Sequence, residues 1–510
     1  MATAVKKSLE IVVFVCGACV MVLELVGSRL MAPYLGTSLF VWTSLIGVIL
    51  GCLSLGYWLG GLLADKKPHP RTLASLLFFA GLCVGAVALA GDALLYVIQS
   101  TLPDIRIGAM LATLILFGAP SVLLGMVSPY AIRLKISHVE KTGSTAGKLY
   151  ALSTLGSIAG TFLAGFWLLS YFGHREVLFM ISLTLLALGA LTQGGVPAAR
   201  YAIAFAAVLG ASFTPSFVHA VMGEGLHDIP TAYNRVWVYD AFLEGKPVRV
   251  LQLNDSTDSA MFVPDGALAL EYTKFFRLAG HFRPDLKKAL MIGGGSYSYP
   301  KYFLKEFPEA SMDVVEIDPK LTRVAEEYFE LKKDARLRVT HEDARTFLNR
   351  SGGSYDVIFS DVYKSRSMPF HLTTREAVQK MSERLNGNGL MLINVISSVE
   401  GDNGRFLRAF LAALDEFFPQ IYVYAVDDPE DGLKLQNLMV VAFKTKQKRA
   451  MSSTDAVLSR HLSHIWVGKI PRDLPPLTDA LAPVDRYISG WVTHNDRTRN
   501  NILQKKLQNR

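Results

Sequence analysis

The sequence predicts an α-helical transmembrane bundle of about seven spans, followed by an α/β Rossmann-like domain with a small β piece at its N-terminal side. Three observations lead there. Long apolar runs fill roughly the first 220 residues and then stop. Beyond them, short strand-like runs alternate with helical stretches, the signature of a mostly parallel sheet. Glycines and acidic residues then recur just after those strands, where such sheets bind ligands.

The bundle comes first. Spans are expected at Ile11–Met31, Leu39–Leu63, Leu73–Ile98, Ile107–Ile132, Leu149–Leu169, Val177–Leu191 and Ala202–Phe217. The last two fall short of the roughly 20 residues a crossing needs. The first run is too long for a cleavable leader and reads as a helix that stays. Gly156 and Gly160 form a GxxxG pair, which lets helix backbones approach closely. The four cysteines, Cys16, Cys19, Cys52 and Cys83, all lie in apolar runs. The CxxC spacing of Cys16 and Cys19 lacks the polar partners of a metal or redox site and reads as packing. No metal is expected, and no disulfide framework. Glu24 and Arg29 are ionisable residues inside the first span. They are costly in lipid and fit either a substrate path, a buried pair, or Arg29 reaching for the boundary.

The net charge of +8 has two readings. Its basic residues sit between apolar runs and in the tail, not in an aromatic-interleaved patch. That argues for a lipid bilayer as partner and against nucleic acid. Lys6, Lys7, Lys66, Lys67, Arg71, Arg133, Lys135, Lys141, Lys148 and Arg200 share one side, which predicts a cytoplasmic N-terminus.

In the C-terminal half, Arg235–Tyr239 and Val248–Leu253 alternate as strands. Strands then follow at Ala289–Ile292, Met312–Val315, Leu337–Thr340, Val357–Ser360, Leu390–Val395, Ile421–Val426 and Leu438–Phe443. Helices are expected at Leu321–Leu331, Thr374–Leu385, Arg405–Phe418 and near Asp455–His464. Gly293, Gly294 and Gly295 follow the first sheet strand, where glycine lets backbone approach a nucleotide. Glu316 ends the next strand, about 20 residues on, where an acid grips ribose hydroxyls. Asp343 and Asp361 follow the third and fourth. Together they point to an adenosine-type ligand. The domain boundaries read as 1–222, 223–285, 286–445 and 446–510, with a Pro-rich connector at Pro471–Pro483 and a basic tail.

Residues from about Asp228 to Phe443 resemble the polyamine aminopropyltransferases, the spermidine synthases. Leu290-Met-Ile-Gly-Gly-Gly295 is similar to their glycine motif and Val315-Glu-Ile-Asp-Pro319 to their ribose-binding strand end. Tyr355-Asp-Val-Ile-Phe-Ser-Asp361 is similar to the segment with their catalytic aspartate. The resemblance implies a Rossmann-like methyltransferase/spermidine-synthase fold and S-adenosylmethionine or its decarboxylated form as substrate. It implies adenine contact at Asp343, catalysis by Asp361 and Tyr363, and pocket tyrosines at Tyr233 and Tyr272. His371 lies just beyond as a candidate second base. A homodimer is implied by the resemblance alone. Fusion to a bundle resembles the membrane-integrated branch. The stretch Gly61–Lys67 with Arg71 resembles the loop between spans two and three of major-facilitator transporters.

The pattern departs from the family at three acidic positions. Ser296 stands where an aspartate holds the aminopropyl ammonium, Lys364 where a second acid holds the diamine, and Lys274 where a glutamate follows the pocket tyrosine. A diamine pocket needs carboxylates to offset desolvation of its ammoniums. These changes favour a ligand carboxylate, so the intact cofactor is expected over its decarboxylated form. The expected activity is transfer or cyclisation of the 3-amino(carboxy)propyl group with release of methylthioadenosine. A membrane-bound methyltransferase and a non-catalytic, nucleotide-sensing transporter-like protein are the alternatives. Seven spans would carry the catalytic domain outside, yet its ligand is a cytosolic metabolite, so the cytoplasmic side is expected.

Overall fold

The computed structural model describes residues 2–102, 104–136, 142–192, 198–215, 225–254, 256–350, 352–363, 368–447 and 449–488. It divides into two compact units. One holds Met1–Glu224 with Asp228–Arg235, and the other holds Gly225–His227 with Val236–Arg499.

The first unit is a helical bundle. Its helices are Ala2–Leu35, Leu39–Lys66, Pro70–Thr101, Ile105–Lys135, Thr142–Leu163, His174–Thr192 and Ala198–Ser212; a π-helical turn, Ala164–Leu168, prolongs the fifth. Among the described residues, six helical segments are long and apolar enough to cross a membrane. The seventh expected span is a helix of only 15 residues, Ala198–Ser212. That is about 22 Å of rise against about 30 Å of hydrocarbon, and Phe217 lies outside the described residues.

The GxxxG pair does what its spacing implies. A Cβ on Gly156 would lie 1.9 Å from the carbonyl oxygen of Phe14, so only glycine lets these two helices touch there. Cys16 and Cys19 are buried, free thiols.

Ionic contacts label the two ends of this unit. At one end Glu10 pairs with Lys135 and, at 2.8 Å, with Lys148, and Asp65 pairs with Arg133 at 3.1 Å. Arg200 reaches Ser75 Oγ at 3.3 Å there. This is the end that carries the basic loops; the side chains of Lys6 and Lys7, and Lys141, lie outside the described residues. At the opposite end Arg235 bonds Asp92 at 2.9 Å and Asp228 at 2.7 Å. Tyr34 donates to Asp92 at 3.0 Å, and His174 lies 3.8 Å from it. Arg29 donates to the carbonyl of Ala232. The short helix joins the two ends. Tyr201 donates to the Ala74 carbonyl at 2.9 Å, near the first end, and Arg175 donates to the Thr214 carbonyl beside His174, at the second.

The second part opens with four strands, β1 (His227–Pro230), β2 (Arg235–Leu243), β3 (Lys246–Leu253) and β4 (Ser256–Phe262). The pairs β2–β3 and β3–β4 are antiparallel. A seven-stranded sheet follows. It is made of β5 (Lys288–Ile292), β6 (Ser311–Glu316), β7 (Leu337–His341), β8 (Tyr355–Ser360), β9 (Leu385–Ser397), β10 (Gln420–Ala425) and β11 (Gln436–Phe443). Its order is β10-β11-β9-β8-β5-β6-β7. β9, β8, β5, β6 and β7 run parallel, and β11 and β10 return antiparallel.

Alternate residues of the central strands feed two separate cores. Leu290, Ile292, Ile358 and Ile393 pack on one face, and Ala289, Met291, Phe359 and Leu392 on the other. Burial on both faces explains why these strands read as unbroken apolar runs. After β5 the chain proceeds to β6 on one side and later to β8 on the other. The crevice at the C-terminal ends of β5 and β8 is therefore the topological switch point, where open α/β sheets bind ligands.

Candidate active site

The switch point is built on close backbone approach. Gly293 N–H donates to Val315 O at 3.0 Å, and Asp361 N–H donates to Ile292 O at 3.0 Å. Gly293 has φ of 90°, and a Cβ there would lie 2.3 Å from the Asp361 carbonyl oxygen. Glycine is thus required both for conformation and for space. Tyr297, buried beneath the turn, bonds Thr322 at 2.7 Å and locks the turn from below.

Glu316 ends β6 buried. One of its oxygens accepts from Gly294 N–H at 2.8 Å and the other from Asp318 N–H at 2.9 Å. Burial still pushes its carboxyl above the usual range. Each oxygen keeps a lone pair for a ligand hydroxyl. Asp343, after β7, caps the helix Ala344–Asn349 through Thr346 N–H at 3.0 Å. Its other oxygen lies 3.3 Å from His371 Nε2, so these two predicted residues stand together.

Asp361 follows β8. Tyr272 donates to its Oδ2 at 2.9 Å and Asn394 to its Oδ1 at 2.9 Å. Burial raises its pKa from the ordinary 3.8 to about 6, the two hydrogen bonds only moderating the rise. Tyr272 in turn has its hydroxyl pushed well up by burial and by the Asp361 charge. The result is a carboxylate that can take a proton near neutrality.

The remaining predicted residues scatter. Ser296 is buried beneath the turn, bonding Ser259 at 2.5 Å and Ser298 at 2.6 Å. The Tyr363 hydroxyl accepts from Ile396 N–H and donates to Asn394 O at 3.3 Å. Lys274 is held by Glu271 at 2.6 Å. Lys364 lies outside the described residues. Tyr233 is exposed in the first unit and is not among the side chains that the second unit gathers.

Residues 273–449 match the spermine/spermidine synthase domain. The C-terminal part of this chain carries a spermidine synthase domain. A polyamine aminopropyltransferase of Vibrio vulnificus is 30% identical over 158 residues, covering 30% of this chain and 50% of that protein. Polyamine aminopropyltransferase 2 of Ralstonia nicotianae is 25% identical over 429 residues, 76% of this chain and 78% of that protein. An eEF1A lysine and N-terminal methyltransferase homolog of Drosophila melanogaster is 28% identical over 158 residues, 29% of this chain and 23% of that protein. The chain thus spans about half the length of the Vibrio relative.

Three residues around the synthase domain's crevice escaped the sequence reading. Asn394, on β9, orients Asp361 and is itself fixed by Asn437 at 2.9 Å. Asn394 lies in the C-terminal half of its apolar strand and Asn437 near the start of the next, and a lone asparagine in an apolar strand was the available signal. Asp258, on β4, lies before the matched residues. Its Oδ2 is 3.1 Å from where a Gly295 Cβ would stand, and its carbonyl oxygen accepts from Tyr272 at 3.2 Å.

Proposed function

We propose that this chain is an integral membrane transferase of the aminopropyltransferase type. It binds S-adenosylmethionine or its decarboxylated form and breaks the bond between sulfur and the propyl carbon. The observation that carries this reading is Asp361, a carboxylate with a pKa near 6 beside the glycine turn. The sulfonium makes its neighbouring carbon electrophilic. An amine lone pair forms the new C–N bond, the C–S electrons return to sulfur, and methylthioadenosine leaves neutral. The proton lost by the amine goes to Asp361. The nucleophile is a second amine or, in a cyclisation, a group of the same substrate held at high effective concentration. Gly294 and Glu316 hold the ribose end, and Asp343 with His371 stands at the adenine end. Mass spectrometry of detergent-purified protein with each sulfonium substrate tests this. Methylthioadenosine is expected; adenosylhomocysteine instead would favour the methyltransferase reading, which the Drosophila relative supports.

We infer the side of the membrane from contacts within the first unit. Ala198–Ser212 runs from the basic end to the end where Arg29 and Asp92 meet residues 232 and 235. We propose that this short helix makes a seventh crossing despite its length, which puts Arg235 on the side away from the basic loops, outside the cytoplasm. This reading is the opposite of the expectation drawn from the ligand. Every cysteine is in the bundle, so one cysteine introduced at exposed Leu433 reports sidedness. Labelling of intact cells by a membrane-impermeant maleimide is expected, and labelling only after lysis overturns the assignment.

A further inference from the structure

The Pro-rich stretch Pro471–Pro483 lies beyond the residues that match the synthase domain. It is more than a connector. Leu477 within it and Val484 just past it are buried in the core on one face of the sheet, so the stretch lies against the domain as a strap. Its prolines fix φ and lower the entropy cost of holding an irregular path. Arg408 pins it at Asp473, 2.7 Å away. Further on, Thr478 and Leu481 pair through two backbone bonds of 3.1 and 3.0 Å and close a tight turn. Asp479 is the second residue of that turn, and its N–H donates to Glu376 at 3.0 Å. Its carboxylate reaches back into the domain. Oδ2 accepts from Arg345 at 2.5 Å and Oδ1 from the Thr374 hydroxyl at 2.7 Å. Arg345 also donates to the His371 carbonyl at 3.0 Å and to the Thr374 hydroxyl at 3.2 Å. His371 Nε2 stands 3.3 Å from Asp343 Oδ2. Asp479, Arg345, His371 and Asp343 thus form one chain from the strap to the adenine end of the crevice.

We propose that Asp479 is a positioning residue for base recognition: through Arg345 it fixes His371, so that His371 and Asp343 present a fixed acceptor to the 6-amino group of adenine. This rests on the nucleoside reading of the crevice given above. Asp343 Oδ1 is committed to the helix cap at Thr346. Its Oδ2 is left for the base, and the direction of that oxygen depends on where the His371 ring stands. The ring is carried by a three-residue turn, Phe370–Leu372. A single turn has little stability of its own, and Arg345 ties its carbonyl and the adjoining Thr374 to the strap. The guanidinium is planar, so a carboxylate on one of its nitrogens orients the other, which meets His371. The strap is already seated by Leu477 and Asp473, so Asp479 is not needed to hold it down. Adenine offers a donor at position 6, where hypoxanthine offers an acceptor. A fixed carboxylate oxygen accepts from the first and repels the second.

Calorimetry on the detergent-solubilised full chain tests this with two probes, methylthioadenosine and methylthioinosine, in which hypoxanthine replaces adenine. The wild type should bind methylthioadenosine at least about ten-fold tighter. In Asp479→Asn, methylthioadenosine should bind about ten-fold more weakly and methylthioinosine nearly as before, so the preference falls toward one. Arg345→Lys should do the same, because one ammonium cannot reproduce the fork that meets Asp479 and the His371 carbonyl together. Combining the two changes should add little to either alone. Asp473→Asn, which frees the strap from Arg408 instead, should leave the preference intact. A preference is a ratio of two affinities of the folded protein, so lost stability alone does not move it. A preference that survives Asp479→Asn overturns the proposal, as does its equal loss in Asp473→Asn or equal binding of the two probes by the wild type. Failure of methylthioadenosine to bind the wild type would sink the nucleoside reading, and this proposal with it.

Discussion

Replacing Asp361 by asparagine should make the protein more stable and nearly inactive, and the stability gain should depend on pH. Burial raises the Asp361 pKa from 3.8 to about 6. The fold thus prefers the protonated form by about two pH units, or about 3 kcal/mol at ~1.4 kcal/mol per unit. For a carboxyl raised in this way, stability is full below pH ~4 and is lost as pH rises through about 6. Asparagine imitates the protonated acid, so the variant keeps at pH 8 what the wild type has lost. Its fit is close. The new amide carbonyl can accept from Asn394, and its NH2 can donate to Tyr272, whose hydroxyl still donates to the Asp258 carbonyl. Rearranging these bonds costs about 1 kcal/mol, which leaves about 2. At roughly 2–4 °C per kcal/mol for a domain of this size, the melting temperature at pH 8 should rise by about 4–8 °C. At pH 4 the gain should vanish. Turnover should fall by about 10²–10⁴, the usual share of a general base, and wild-type turnover should climb through pH 6. Thermal unfolding in detergent at the two pH values, with product analysis alongside, measures both. An equal gain at both pH values, or turnover within ten-fold of wild type, would refute the reasoning.

Two further outcomes follow from bonds already described. In Glu316→Gln, only one of the two N–H groups of Gly294 and Asp318 can be accepted, and the other meets an amide NH2. At about 1–3 kcal/mol for a donor left unmet, methylthioadenosine should bind roughly ten- to hundred-fold more weakly by calorimetry. Arg235→Ala strands Asp92 and Asp228, which are 7% and 11% exposed. Leaving such carboxylates unpaired costs about 3–5 kcal/mol, read as a lower unfolding temperature that the companion change Asp92→Asn partly restores.

What could be read in the sequence was whatever has local cause. An unbroken apolar run is a central strand because both its faces are covered. A glycine follows β5 because the backbone must turn against its neighbour there. Glu316 is acidic where two N–H groups converge. Each of these signals lies within a few residues of its cause, and each strand of the seven-stranded sheet fell close to its expected place. Strand β4 had no such signal. Ser256 to Asp258 reads as polar turn material, and it becomes the start of β4 only because β3 pairs there.

The electrostatics of the crevice escaped for the same reason, and in the same place. A sequence shows how many acids a motif has lost, but the field at a ligand atom depends on every charge the fold delivers. Counting Ser296, Lys274 and Lys364 at their motif positions gave a crevice poor in negative charge. The fold returns one carboxylate from β4 and cancels one lysine with Glu271, a partner three residues earlier. Neither change alters the motif. Substitutions within a binding motif therefore predict ligand charge only after the residues facing that motif from other strands are known. Here that means Asp258, thirty-eight residues before Ser296 in the sequence.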